Sequence, residues 1–588
     1  MNLLLALRTL RYLRWEQLLY RPWRLAQFRL YRARPSLTAR WIAADDHAPP
    51  ASPQTLAALR TLFENSFPHL TPPLSQLSER ITDLQTNRFT FLSRTLTLAP
   101  LDWNQRYESH LWNYQLHYFP YALWCARAFV EGGDHSAMRQ CQRLIESWLA
   151  QARIGHSDGW DAYPISLRTV NWMYAYALVV ERYDDTQFLK RWRGALFRQL
   201  DFLRHHLELH LLANHLFKNI KALIIGGLFF QHEEWLTTGL RLFQRELAEQ
   251  VLPDGGHYER APMYHAQTLA DALECYALLK ACGRTLPQES QLVAQLQAMT
   301  GFLAGLSYAD GSLALFNDSA NTEETRPQPI LAAAEQILRA PLPTYPTSFP
   351  QTGYFLWRSP DEQEKIIVDA GPPAVGYNTA HAHCDLLSYE LRLNGQPFIV
   401  DSGVHGYGGD RFRAYCRSTR AHNTVMFGGR EQSEIWSTFR LARRACVLHA
   451  EAQTETQGWQ FCGAYQPFYD RRLVHERRIT RTTNGEWLFA DSVRDGMIGD
   501  ITSFIHLHPD VKFTLTEDSL AVRCTVGNSV VWIEPTANAA SRLIVEGSET
   551  PVQGWYFSDF GDARPSTTIC FTYVAAEGEA FGYRIKRS

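Results

Sequence analysis

Near residue 340 the chain changes its hydrophobic rhythm, and no single core accommodates both halves. From about 60 to 340, apolar residues recur three and four apart, as in Leu144-Ile145-Glu146-Ser147-Trp148-Leu149 and Arg193-Gly194-Ala195-Leu196-Phe197. That is the period of helices with one buried face. Pro341, Pro343, Pro346 and Pro350 then mark a linker. Beyond it short β-rich runs alternate with turns, among them Lys365-Ile366-Ile367-Val368-Asp369, Val530-Val531-Trp532-Ile533 and Ile569-Cys570-Phe571-Thr572-Tyr573. Ser388–Leu393, Asn394-Gly395 and Gln396-Pro397-Phe398-Ile399-Val400 read as a hairpin, because Asn-Gly readily supplies the two positive φ values of a tight turn. A length of 588 residues independently calls for two large domains. The expected organisation is a basic N-terminal segment and linker over 1–60, an all-α domain over 61–340 and an antiparallel β-sandwich over 345–588.

Composition narrows the class. With 45% hydrophobic and 20% charged residues the chain reads as globular, and a net charge of −2 gives no reason to expect a nucleic-acid partner. The 17 Trp, 26 Tyr and 31 Phe suit either a sugar-binding groove or an aromatic-rich core. Ten cysteines without a CxxC pair read as buried thiols rather than a zinc or disulfide framework. No apolar run reaches the roughly 20 residues of a membrane span. The N-terminus places Leu3-Leu4-Leu5-Ala6-Leu7 before Arg8, Arg11 and Arg14, the reverse of a secretory signal. A cytoplasmic or inner-membrane-associated protein is therefore expected, with a periplasmic one as the alternative. Nine arginines fall in the first 40 residues against one acid, Glu16, with Leu10, Trp15, Leu18 and Leu19 interleaved. Residues 1–34 read either as a helix on an anionic membrane surface or as a basic helix packed on the helical domain. Pro35, Pro49, Pro50 and Pro53 read as a linker over 35–60.

The chemistry-bearing residues form two sets. In the β-rich half, His381-Ala382-His383-Cys384-Asp385 is followed by Asp401-Ser402-Gly403 and Arg420-Ala421-His422-Asn423-Thr424-Val425. On a strand, His381, His383 and Asp385 would share a face, and two imidazoles with a carboxylate fill most of a zinc sphere. In the helical half, Asn214-His215 interrupts an apolar stretch, where adjacent polar side chains are costly unless used. Asp254-Gly255-Gly256-His257-Tyr258-Glu259-Arg260 and Pro262-Met263-Tyr264-His265 follow on a Gly-rich turn entering a helix.

Taken together with Trp112-Asn113-Tyr114, Tyr163-Pro164-Ile165-Ser166-Leu167-Arg168 and Phe316-Asn317-Asp318-Ser319, these motifs resemble the heparinase II/III superfamily of polysaccharide lyases, which is heparinase-like and alginate-lyase-like. The resemblance runs from about residue 100 to 450. It implies an α+β multidomain fold, an N-terminal incomplete (α/α) toroid followed by a C-terminal antiparallel β-sandwich. It implies β-elimination on an acidic, uronate-containing polysaccharide, in exopolysaccharide synthesis or turnover. Asn214, His215 and His381 would neutralise the uronate carboxylate. Tyr264 would carry the proton, with Tyr407 as a second candidate. His265, Arg260, Arg417 and Arg420 would bind substrate, and cationic neighbours would bring the Tyr264 phenol toward neutral pH. His383, Asp401 and His422 would hold one structural divalent metal, zinc in preference to calcium or manganese. The rivals are a glycoside hydrolase on the same toroid, using Asp254 with Glu259 or Asp318, and a non-catalytic polysaccharide-binding protein.

Overall fold

The structure is a computed structural model in which residues 3–42, 48–455, 458–496 and 500–588 are described. Its helical half has two layers. Helices Pro120–Gly132, Ala162–Val179, Ala213–Phe230 and Pro262–Ala281 pack one against the next as the inner layer. Each is followed by an outer helix: His135–Gln151, Thr186–Arg204, Glu233–Gln250 and Glu289–Gly305. The sequence decides which is which. Ala213–Phe230 is apolar on every side after its first turns and is buried all round, whereas Glu233–Gln250 confines Trp235, Leu236, Leu242, Phe243 and Leu247 to one face. Gly227 lets the two approach: a Cβ there would meet the Leu236 backbone nitrogen at 2.8 Å.

One end of the inner layer is sealed. Helix Pro53–Asn65 lies across it, and the Ser52 amide donates to Phe229 O at 2.7 Å and Thr55 Oγ1 to Leu228 O at 2.9 Å. Arg60 reaches Ala177 O at 3.2 Å and Gln54 reaches Ala281 O at 3.1 Å. These are last-turn carbonyls that a helix cannot satisfy by itself. The opposite, N-terminal ends of the same helices are thereby left to face the β-domain.

The last toroid helix ends at Leu338 and the first strand of the sandwich begins at Ser348. A five-stranded meander, Ser348–Phe349, Tyr354–Arg358, Glu364–Asp369, Ser388–Leu393 and Gln396–Ile399, continues through an Ile399–Leu507 bridge into a four-stranded sheet. That sheet runs Ala539–Glu546, Thr567–Tyr573, Ile501–His506, Val425–Phe427. An eight-stranded sheet forms the other layer, and Phe355, Ile366 and Leu391 share a core with Phe461, Ile479 and Phe489. The named strands pair antiparallel throughout. The expected hairpin is present, with Leu393 opposite Gln396 and φ values of 56° and 70° at Asn394 and Gly395. Toroid followed by sandwich is thus the architecture. The two halves share a small core of Phe302, Leu306 and Tyr308 against Phe349, Tyr354 and Leu356.

The N-terminal segment packs as a strap of two helices, Leu3–Leu10 and Trp15–Ala33, across both halves. Arg32 donates to Gly155 O at 2.7 Å and Arg24 to His206 O at 2.8 Å on the toroid. On the sandwich side Trp436 donates to Thr9 Oγ1 at 3.0 Å and Arg8 pairs with Glu434 at 2.7 Å. The stretch 35–60 is less of a linker than its prolines suggest. It holds helical turns at Pro35–Thr38 and Ala39–Ile42 and, behind a Ser52 cap, the start of Pro53–Asn65. Residues 1, 2 and 43–47 lie outside the described ones. Among the described residues no helix is long and apolar enough to cross a membrane.

Candidate active site

Three inner helices place their first turns at the open end of the toroid. Tyr163 opens Ala162–Val179, Asn214 and His215 open Ala213–Phe230, and Tyr264 opens Pro262–Ala281. Free backbone N–H groups make helix N-termini partly positive, so this end favours an anionic ligand. The backbone is strained just before these residues. Leu212 (φ 63°, ψ −155°) and Ala213 (φ 49°) precede Asn214, and Arg260 (φ 57°) precedes the helix of Tyr264. Each such residue costs about 1–3 kcal/mol, and strain of this kind collects where side-chain aim matters.

Two histidines, one from each domain, are fixed by buried carboxylates. His215 Nδ1 lies 3.1 Å from Glu208 Oε1, and Glu208 also accepts from Asn219 Nδ2 at 3.0 Å. Burial opposes ionisation of Glu208, but His215 and Asn219 more than offset it and hold the carboxyl below its usual range. His381 Nδ1 lies 2.8 Å from Asp318 Oδ2. A carboxylate can only accept, so each Nδ1 donates and each Nε2 is the nitrogen left for other work. Tyr264 stacks on His381 with ring centroids 3.9 Å apart, and its hydroxyl meets that of Tyr407 at 2.7 Å. Tyr163 lies tilted against His215 at 4.3 Å and continues into Tyr118 and Tyr114 at 5.9 and 6.4 Å, so that His215 is backed by a run of packed aromatic rings. Asn214, Tyr264 and His381 are 7%, 6% and 8% exposed, so each only just reaches solvent.

Asp318 is the hub, and sequence reasoning gave it no role beyond its motif and a rival hydrolase. Besides His381 it takes His383 Nε2 at 2.8 Å and both terminal nitrogens of Arg413, which is itself buried. Burial opposes its ionisation, but Arg413, His381 and His383 hold its carboxyl well below the usual range. Glu208 and Tyr163 were also passed over. Tyr163 stood inside a quoted motif, whereas nothing near Glu208 in the sequence signals its partner seven residues on.

Several expected positions are different in the structure. Residues 379–387 form turns rather than a strand. His381 therefore stacks on the toroid's Tyr264, while His383 and Asp385 lie beneath, against His422. His265 points into the toroid, bonded to Met299 O at 2.9 Å and packed on Phe302, and burial pushes its pKa down to about 4. Arg260 is a strut to the sandwich, donating to Thr352 O at 2.9 Å and Gln351 O at 3.3 Å. Arg417 is spent on the carbonyls of Ala382 and Ser437. Arg420 lies in the sandwich, where its backbone carbonyl meets His506 Nε2 and accepts from Gln553 Nε2, both at 3.0 Å. The side chains of His265, Arg260 and Arg417 are thus engaged within the protein rather than held out as substrate clamps. Nor is Tyr264 surrounded by free cations: burial, then Tyr407 and Asp318, push its phenol well above the ordinary range.

Beneath His381 three buried groups converge. His383, Asp385 and His422 each offer a ligand atom within 4.8 Å of the others. His383 Nδ1, Asp385 Oδ2 and His422 Nε2 have no hydrogen-bond partner. Asp401, expected in this set, instead meets His422 Nδ1 at 2.7 Å from behind.

Residues 73–337 match the family described as heparinase II/III N-terminus and residues 341–584 the family described as heparinase II/III-like, C-terminal. The chain belongs to the heparinase II/III family. A heparin-sulfate lyase of Pedobacter heparinus is 25% identical over 471 residues, 74% of this chain and 68% of that one. A heparin-sulfate lyase of Bacteroides stercoris is 26% identical over 330 residues, where the match spans 50% of this chain and only 45% of the relative. Among solved structures, heparinase III superposes with a TM-score of 0.72 over 91% of this chain and 93% of that one at 17% identity. A heparan sulfate lyase from Pedobacter heparinus gives 0.60 over 90% and 87% at 19% identity. At such identities these superpositions speak for the fold.

In this heparinase II/III protein the buried triad fits a cation. Orphaned buried polar atoms each cost about 1–3 kcal/mol, and three facing one another form a donor set that an ion would satisfy. His383 is suited to the task, since burial pushes its pKa down to about 3 and keeps the ring neutral. Asp318 and Asp401 fix the far nitrogens of the two imidazoles, as carboxylates behind metal-bound histidines do. Elemental analysis of purified protein is expected to find close to one equivalent of divalent metal. His383→Ala should lose it and Asp401→Asn should weaken it about 10–100-fold. Metal-free protein with unchanged melting would leave the triad as a polar cluster without an ion.

Proposed function

We propose that this protein is a polysaccharide lyase that cleaves a uronate-containing polymer by β-elimination. The observation that carries the reading is the pairing, across the domain boundary, of Tyr264 with the carboxylate-anchored His381, with a second carboxylate-anchored histidine, His215, at the first turn of a neighbouring inner helix. Asn214 and the helix N-termini neutralise the uronate carboxylate, which makes the C5 proton acidic. His215 Nε2 takes that proton, and the electron pair moves into the C5–carboxylate system. The C4–oxygen bond then breaks, the pair forms a C4–C5 double bond, and Tyr264 protonates the departing oxygen. A phenol held protonated by burial suits that last step.

The hydrolase alternative needs two free facing carboxyl groups. Asp254 is used by the Thr352 amide and hydroxyl at 2.7 and 2.6 Å, and Asp318 is saturated. The named relatives are heparin-sulfate lyases, so a hexuronate–hexosamine polymer is the first substrate to test, with alginate and a bacterial exopolysaccharide after it. The two imidazoles and one carboxylate of the buried triad support zinc as the ion it would hold. Incubation with such a panel should release oligosaccharides that absorb in the ultraviolet through the new conjugated double bond. New reducing ends without that absorbance would mean hydrolysis, and no products from any uronate polymer would reduce the protein to a binder.

A further inference from the structure

The helix Trp15–Ala33 is packed inside out. Toward the protein it turns Gln17, Arg24 and Tyr31, seven residues apart. Gln17 donates to Tyr377 O at 3.3 Å, Arg24 to His206 O at 2.8 Å, and Tyr31 meets His206 Nε2 at 2.9 Å. Toward solvent it turns Trp15, Leu19, Trp23 and Leu25, each 60% or more exposed, and the preceding helix adds Leu3 and Leu7. A helix on a water-facing surface has the opposite arrangement. Eleven of the nineteen large hydrophobic side chains exposed among the described residues fall in the first 37 positions, so the apolar surface is concentrated rather than scattered.

The same surface is basic. Arg29, Arg34 and Arg40 are exposed and take part in no ion pair among the described residues, and Glu16 is the one acid in the first 40. A second copy of the chain meeting this face across a two-fold axis would set these arginines against their own counterparts with Glu16 as the one acid of the segment to pair them. A bilayer with anionic headgroups supplies both complements, acyl chains for leucine and tryptophan and phosphates for guanidinium groups.

We infer that the N-terminal strap is an interfacial membrane-binding surface, seated on anionic lipid with its helices in the plane of the bilayer. The strap also borders the site. Tyr377, which holds Gln17, adjoins Asn378 on Glu259, and His206, which holds Arg24 and Tyr31, lies two residues from Glu208. The cleft therefore opens alongside the lipid, where a polymer at the membrane surface is within reach.

The test uses the full chain and vesicles of phosphatidylcholine with or without phosphatidylglycerol. The intact protein is expected to co-sediment at least tenfold more strongly with the anionic vesicles, with a blue shift of tryptophan emission, and high salt should release only part of it. Leu19→Glu and Trp23→Glu should each reduce binding at least tenfold without changing the melting temperature or turnover of soluble substrate, and Arg29→Glu with Arg34→Glu should abolish the preference for anionic lipid. Intact protein that ignores phosphatidylglycerol vesicles would overturn the inference. So would a concentration-dependent dimer that Leu19→Glu dissolves in the absence of lipid, since the face would then be an interface between copies.

Discussion

Tyr264→Phe is expected to lower kcat at least ~10²-fold, the usual scale for loss of a general acid, with KM changed little. The hydroxyl being removed lies 2.7 Å from Tyr407 at the edge of the cleft, and the ring that stacks on His381 is kept. Binding and fold should therefore survive while the leaving oxygen goes unprotonated. The variant also separates the two proton transfers. If His215 takes the C5 proton, substrate incubated with the Phe variant in heavy water should still exchange hydrogen at C5. Loss of exchange along with turnover would make Tyr264 the base as well as the acid, and near-normal turnover would remove it from the chemistry.

The second large effect is expected at Asp318. Asp318→Asn keeps the shape but removes the charge that faces Arg413, His381 and His383. Leaving Arg413 buried and uncompensated should cost about 3–5 kcal/mol of stability. Turnover of the folded fraction should fall ~10²–10⁴-fold, because His381 loses the acceptor that sets its tautomer. The pH dependence gives a check that simple unfolding would not. The folded-state carboxyl titrates well below its unfolded value of about 3.9. Its contribution is thus complete above pH ~4 and is lost as pH falls toward the folded pKa. Wild type should show that acid limb in its melting temperature and the Asn variant should lack it. Equal acid sensitivity in both would mean the hub is not ionised as described.

Much of this was legible in the sequence, for identifiable reasons. Helical and strand periods report which faces are buried, so an all-α half, the sandwich and the Asn394-Gly395 hairpin followed from local pattern, whereas the toroid came from the family resemblance. Asn214 and His215 stood out because polar groups in an apolar stretch need partners, and Tyr264 and His381 because their motifs resemble those of the family. Pairing across the chain was not legible. Asp385 and Asp401 are both near the metal site, and only the fold decides that Asp385 faces the cavity while Asp401 stands behind His422. Arg260, Arg417 and His265 were attractive as substrate ligands because a charge in a motif carries no sign of whether it meets a carboxylate or a neighbouring carbonyl. The strap illustrates the same limit, since its amphipathic period is plain but not which face turns inward.

The seal that Pro53–Asn65 places on the far ends of the inner helices divides labour along each of them. One end is foundation and the first turn at the other is a tool-holder. Tyr163, Asn214, His215 and Tyr264 are carried on first turns, away from the capped carbonyls that hold the far ends together. The converse holds at the sealed end, where Ser52 and Thr55 hold the last turn of the helix that carries Asn214 and His215 at its other end.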